Sequence, residues 1–319
     1  KIDYLSNLYK QHHYDSLLKK AAMLAEEFPK DFRVWNFLGA AYNKINRSNE
    51  AFKAFKKVTE LNPHFAEGFN NLGATLRQQS KQDYAIRAFK RALALKPDFV
   101  AALMNMGNVH NDQGKYKEAI VAYKKALSLK NDDAKGFHQL AVTLFRQGSA
   151  EEALKAYGQA LELSPDYPEC YNNSGIIFQH QGNLDKAIHA YKKAISIKPE
   201  YTDAHNNMGV ALKEQGKLKE AGIAYEKAAS LQPDHADTLD NMGRLHWLRR
   251  DFVRAFELME WRWKKKQGLI GIKLSSNKPI WSGSDKNKVF VWKEQGIGDE
   301  IMFASVFSDA HRKSKKLIV

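Results

Sequence analysis

The chain is predicted to be an all-α, right-handed superhelical solenoid of repeated helix hairpins, followed by a short α/β fragment. Three series predict the solenoid. Alanine recurs every 34 residues at Ala51, Ala85, Ala119, Ala153, Ala187, Ala221 and Ala255. Glycine recurs with the same period at Gly39, Gly73, Gly107, Gly175, Gly209 and Gly243, with Ala141 in the gap. Proline recurs at Pro29, Pro63, Pro97, Pro165, Pro199 and Pro233, with Asn131 in the gap. A fixed period of this size marks stacked supersecondary units that bury their cores against their neighbours.

One repeat, residues 66–99, shows how each element arises. Phe69, Leu72, Gly73 and Leu76 share a helical face, and Ala85, Phe89 and Ala92 share another. The polar stretch between them is a turn, and other repeats place Gly114, Gly148, Gly182 or Gly216 there. Pro97 stops the second helix because proline cannot extend the hydrogen-bond ladder. Gly73 and Ala85 are small where the hairpin's helices touch, with Phe69 and Phe89 filling the space beside them. A leucine in place of one of these alanines is expected to overpack the crossing by roughly 1–3 kcal/mol.

These residues, as in Trp35, Leu38, Gly39, Tyr42, Ala51, Phe55 and Pro63, resemble the tetratricopeptide repeat (TPR). Residues 1–31 then form a partial repeat or N-terminal cap, with Leu17 where alanine is expected, and residues 32–263 hold seven repeats. Met259 and Gln267 depart from the pattern in the last one. Residues 264–319 form a linker and the beginning of an α/β domain.

The resemblance implies that the first helix of each repeat lines a concave face through its second, fifth, sixth, ninth, twelfth and thirteenth positions. The sixth position carries Asn71, Asn105, Gln139, Asn173, Asn207 and Asn241. A carboxamide offers both donor and acceptor, so a row of them can pair with the backbone of an extended peptide of any sequence. Such a row resembles that of the O-linked N-acetylglucosamine transferase solenoid, which binds protein substrates in this way. Asparagine is also simply common at this position of the repeat, and both readings stay open.

Charge argues about partners. The net charge is +14, of which residues 262–319 carry +8. The inward positions nonetheless balance, with Arg33, Lys44, Arg77, Lys135, Arg146, Lys213 and Arg244 against Glu67, Asp112, Glu169, Asp203, Glu214, Asp237 and Asp240. A face that tracks phosphates is clearly positive, so nucleic acid is not an expected partner. Eleven histidines form no cluster with metal-ligand spacing, and no metal or cofactor is expected. A single cysteine, Cys170, excludes an intrachain disulfide and suits a reducing, cytoplasmic setting. No apolar run is long enough to span a membrane.

The period stops near residue 264. Loop-like residues lead to an apolar strand, Val289–Trp292, then the stretch from Glu294 to Glu300, an apolar helical stretch and a final strand at Leu317–Val319. Together with Glu260–Trp263 and Pro279–Gly283, this resembles the start of a heptosyltransferase-like, two-lobed glycosyltransferase domain found after TPR arrays in bacterial proteins. The resemblance implies an acceptor loop at Gln295, Gly296 and Gly298, and Asp299 as the base that takes a proton from an acceptor hydroxyl. The residue-level alternative is that Asp299 only caps a helix. The chain ends inside the first lobe, so this fragment is not expected to be active without the missing C-terminal lobe. The tail is expected to pack on the last repeats through Trp247, Trp261, Trp263 and Trp281.

Two functions follow: a scaffold that holds a peptide or partner protein, or the acceptor-recruiting arm of a sugar-nucleotide-dependent glycosyltransferase. Stacking of solenoid ends into an assembly is a third.

Overall fold

The computed structural model describes residues 1–259, 289–290 and 317–318, in two compact bodies, Lys1–Pro199 and Glu200–Val319. The first body is six helix hairpins. They are α1 (Ile2–Lys10) with α2 (Tyr14–Glu27), α3 (Phe32–Lys44) with α4 (Ser48–Leu61), and α5 (Ala66–Gln78) with α6 (Gln82–Leu95). Next come α7 (Val100–Asp112) with α8 (Tyr116–Leu129), α9 (Ala134–Gln147) with α10 (Ala150–Leu163), and α11 (Pro168–His180) with α12 (Leu184–Ile197). The second body holds α13 (Thr202–Glu214) with α14 (Leu218–Leu231), and α15 (Ala236–Leu248) with α16 (Phe252–Met259). Within each body the two helices of a hairpin pack on each other, and successive hairpins pack together.

The repeat's small and large residues meet as a pair. The aromatic at the twenty-fourth position is the largest fully buried side chain of each repeat: Phe55, Phe89, Tyr123, Tyr157, Tyr191 and Tyr225. Its ring lies against the glycine of the first helix, so Gly39 faces Phe55, Gly107 faces Tyr123 and Gly175 faces Tyr191. The alanines Ala51, Ala85, Ala119, Ala153, Ala187, Ala221 and Ala255 are all fully buried. The glycine's close neighbour is therefore the ring rather than the alanine.

The turns repeat as faithfully as the helices. Among the described residues, every residue with positive φ belongs to one 34-residue series: His12, Asn46, Ser80, Gly114, Gly148, Gly182, Gly216 and Arg250. In Gly114's turn its own N–H donates to Asn111 O (3.0 Å) and Lys115 N–H donates to His110 O (2.8 Å), closing the helix end. The second helices end two residues before each proline, as α4 does at Leu61 and α6 at Leu95. Since α8 stops at the same point, Leu129, with Asn131 in place of proline, the proline reinforces a boundary that the packing already sets.

The partial N-terminal repeat is a full hairpin. Leu5 and Leu17 are fully buried in its core, with Val34 and Leu38 of the next hairpin. Leu17 thus fills with bulk what the other repeats fill with a small residue and an aromatic. Cys170 is fully buried, and burial pushes its thiol up to about 12, which makes it a packing residue.

Beyond α16, β1 (Val289–Phe290) and β2 (Leu317–Ile318) pair in parallel, Val289 with Leu317 and Phe290 with Ile318. The other residues of the expected α/β fragment lie outside the described residues, as do Trp261, Trp263 and Trp281.

Candidate functional site

The first helices place the sixth-position carboxamides at one register, and each side chain is only partly exposed. In the first body they are joined into a hydrogen-bonded chain. Asn105 Nδ2 donates to Asn70 Oδ1 (3.0 Å), Asn70 Nδ2 to Asn71 Oδ1 (3.4 Å), and Asn71 Nδ2 to Asn36 Oδ1 (3.0 Å). Farther along, Asn172 Nδ2 donates to Asn173 Oδ1 (3.4 Å), and Asn173 Nδ2 contacts His138 Nε2 (3.3 Å). The second body repeats the motif: Asn241 Nδ2 donates to Asn206 Oδ1 (3.0 Å), and Asn206 Nδ2 to Asn207 Oδ1 (3.4 Å).

The rule is consistent. A sixth-position amide reaches back 35 residues to the fifth position of the preceding hairpin, and that is a bond between repeats. Gln139 stands at the same register, half-buried, with Met104 at the fifth position before it. The fifth-position residues Asn36, Asn70, His138 and Asn206 therefore belong to the site. The pairs Asn70-Asn71 and Asn206-Asn207 are the sequence signal for two of them, and Asn36 and His138 carry no such signal.

Each carboxamide has two N–H donors and an oxygen with two lone pairs. One donor goes to the preceding repeat and one lone pair to the neighbouring asparagine, as for Asn71. For Asn71 a second donor and a second lone pair stand beyond these two bonds. The internal bonds hold the amide planes in fixed orientation, which lowers the ordering cost of any further pairing.

A second set of polar links runs beside the first. Asn43 Nδ2 donates to Thr75 Oγ1 (3.0 Å), and Thr143 Oγ1 donates to Asn111 Oδ1 (3.1 Å). Arg77 Nε donates to Asp112 Oδ2 (2.7 Å), and Arg244 Nε to Asp240 Oδ2 (3.2 Å) with the Asp240 carboxylate almost wholly buried. Arg33 pairs with Asp31, whose carboxyl is held below its ordinary range by the guanidinium. Several inward cations are thus matched by carboxylates. Burial, and secondarily the Arg244 charge, lowers the Lys213 ammonium from its usual value.

His138 is the titratable member of the row. It stacks on Tyr167, with ring centroids 5.1 Å apart at 26°, and burial lowers its pKa. Among the described residues no trio of His, Cys, Asp or Glu stands in metal-binding proximity. No described helix is long and apolar enough to cross a membrane. Gln295, Gly296, Gly298 and Asp299 lie outside the described residues.

A family model described as the cilia and flagella-associated protein 70 C-terminal domain, a TPR domain, matches residues 7–245. Among solved structures, YrrB, "a TPR protein with an unusual peptide-binding site", is 28% identical with a TM-score of 0.50, over 59% of this chain and 97% of YrrB. The MamA protein is 30% identical with a TM-score of 0.50, over 54% of this chain and 93% of MamA. The C-terminal part of a TPR repeat-containing protein from Cytophaga hutchinsonii shares the fold, at 17% identity and a TM-score of 0.61, over 76% of this chain and 99% of its own. No curated protein sequence matches the chain.

Proposed function

The chain belongs to the tetratricopeptide-repeat family described as the C-terminal domain of cilia and flagella-associated protein 70, and we propose that it is an interaction scaffold whose first helices hold an extended peptide. The observation that carries this reading is the row of half-buried, mutually hydrogen-bonded carboxamides. A carboxamide such as Asn71 carries donor and acceptor capacity beyond the bonds it makes within the row, and the spacing of the row follows the repeat. An extended backbone presents the matching alternation of N–H and C=O groups. The likeness to YrrB, with its peptide-binding site, supports the reading.

Recognition of backbone gives affinity without strict sequence preference. Specificity then comes from flanking charged positions such as Lys135 and Arg146 on one hairpin and Glu67 on another. The test is binding of extended peptides, selected on the immobilised chain, to a variant in which Asn71, Asn105 and Asn173 are alanine. The reading requires their affinity to fall by about tenfold or more, the worth of a few unmade hydrogen bonds. Unchanged affinity contradicts it.

The glycosyltransferase-like reading of the tail rests on the sequence motifs Glu260–Trp263, Pro279–Gly283 and Glu294–Asp299 alone. The family match ends at residue 245 and gives that reading no support.

A further inference from the structure

A pocket of about 500 Å³ opens on the other side of the α11 hairpin. Leu154, Gly158 and Leu161 of α10 form one wall, Tyr171, Ser174 and Phe178 of α11 the floor, and the start of α12 the far wall. Tyr171, Ser174 and Phe178 follow i, i+3, i+7 spacing, while Asn172, Asn173 and Ile176 point from the opposite face of the same helix. The pocket is therefore distinct from the carboxamide row.

Comparison with the chain's own repeats shows why it is open. In the repeat starting at residue 100, Met106 packs against buried Ile86 and Phe89. In the next, Leu140 shares a core with buried Ile120. The corresponding pair is Ser174 and Leu154, and the short serine leaves Leu154 only partly buried. The other repeats have Leu38, Leu72, Met208 and Met242 where Ser174 stands. On the facing helix, Gly158 replaces the lysines Lys56, Lys90, Lys124 and Lys192 and the glutamate Glu226. A Cβ added to Gly158 would meet nothing within 4 Å, so no close approach demands glycine there. A mid-helix glycine costs about 1 kcal/mol relative to alanine. Two departures from the repeat, on two helices, open the same space.

We infer that this pocket is a second docking site, which takes a leucine or methionine side chain from a partner protein segment with an acidic residue beside it. The sister repeats supply the argument for the anchor: they fill the equivalent space with their own leucine or methionine. The rim supplies the argument for the acid. Lys186 holds its ammonium over the Phe178 ring, 5.8 Å from its centroid, and His189 stands next to it, while Asp185 already has a partner within the chain. A pocket of this size with apolar walls and a few polar groups at its mouth fits such an anchor.

The test is selection of linear peptides from a random phage-displayed library on the full chain, with binding then measured on three variants. Ser174→Met refills the pocket as the sister repeats do, and Gly158→Lys covers it from an exposed position. The third variant carries Asn71→Ala with Asn105→Ala. The proposal predicts a class of peptides sharing Leu or Met next to Asp or Glu. Their affinity falls about tenfold or more in each of the first two variants, the worth of one buried aliphatic side chain, and holds in the third. Thermal unfolding of Ser174→Met and Gly158→Lys at or above the native temperature confirms that both are folded. Selection of no peptide that depends on Ser174 overturns the proposal. So does Ser174-dependent binding confined to small apolar molecules such as indole, or Ser174-dependent self-association of the chain. Failure of the carboxamide reading leaves these outcomes unaffected, because the third variant isolates it.

Discussion

Gly73 lies under the ring of Phe89: a Cβ added to Gly73 would stand 2.6 Å from Phe89 Cε1. Gly209 and Tyr225 repeat the contact in the second body at 2.6 Å. Ala141, facing Tyr157, shows that a methyl is tolerated when the surroundings accommodate it. A leucine has no such room. Gly73→Leu is predicted to lower stability by about 3 kcal/mol through overpacking, read from the urea midpoint. Ala141→Gly is predicted to lower it by about 1 kcal/mol through helix propensity.

The left-handed turn residues predict a gain. Ser80 has φ +59° at the position that other repeats give to glycine. A non-glycine residue there costs about 1 kcal/mol. Ser80→Gly is therefore predicted to stabilise by up to about 1 kcal/mol, less whatever entropy the glycine adds to the unfolded chain. Gly114→Ser is predicted to cost a similar amount, and thermal unfolding of both variants checks the pair.

The carboxamide row also carries stability. Its hydrogen bonds join adjacent hairpins, so alanine substitutions there are predicted to cost stability as well as binding. Asn105→Ala removes the donor to Asn70 Oδ1. It is predicted to cost about 1 kcal/mol and to speed amide exchange in α5 and α7, measured by hydrogen exchange. Asn36→Ala, which removes the acceptor for Asn71, is predicted to do the same for α3 and α5.

Acid weakens the row at His138. Burial lowers its pKa, so the folded chain holds the ring neutral with Nε2 facing Asn173. Below about 6.5 the unfolded chain binds a proton that the folded chain does not. The stability that the neutral ring contributes is present above that pH and is lost as pH falls toward the lower folded value. His110, also lowered by burial, acts in the same direction. The urea midpoint is predicted to fall between about pH 7 and pH 5, and His138→Gln is predicted to fall less.

Much of this was legible in the residues because a repeat prints its packing many times over. The glycine, alanine and proline series mark the helices and their crossings, and Gly114, Gly148, Gly182 and Gly216 mark the turns. His12, Asn46, Ser80 and Arg250 hide the same backbone conformation, since nothing in those side chains demands positive φ. The carboxamides were visible as a row, yet their partners were not. Which amide meets which depends on the offset between adjacent hairpins, and that offset is set by packing throughout the interface. Gly158 and Ser174 each differ from the residues of the sister repeats, but a single substitution on one helix says nothing of its neighbour on another. Their meeting in one pocket is a fact of three dimensions.

The central claim is that the carboxamides read peptide backbone. An N-methyl scan of a peptide that binds this row tests it most directly. Replacing backbone N–H groups one at a time removes donors while leaving side chains in place. The account predicts losses of about tenfold at alternate positions, where an N–H meets a carboxamide oxygen, and smaller changes when side chains at those positions become alanine. Affinity that ignores backbone methylation and follows the side chains instead contradicts it.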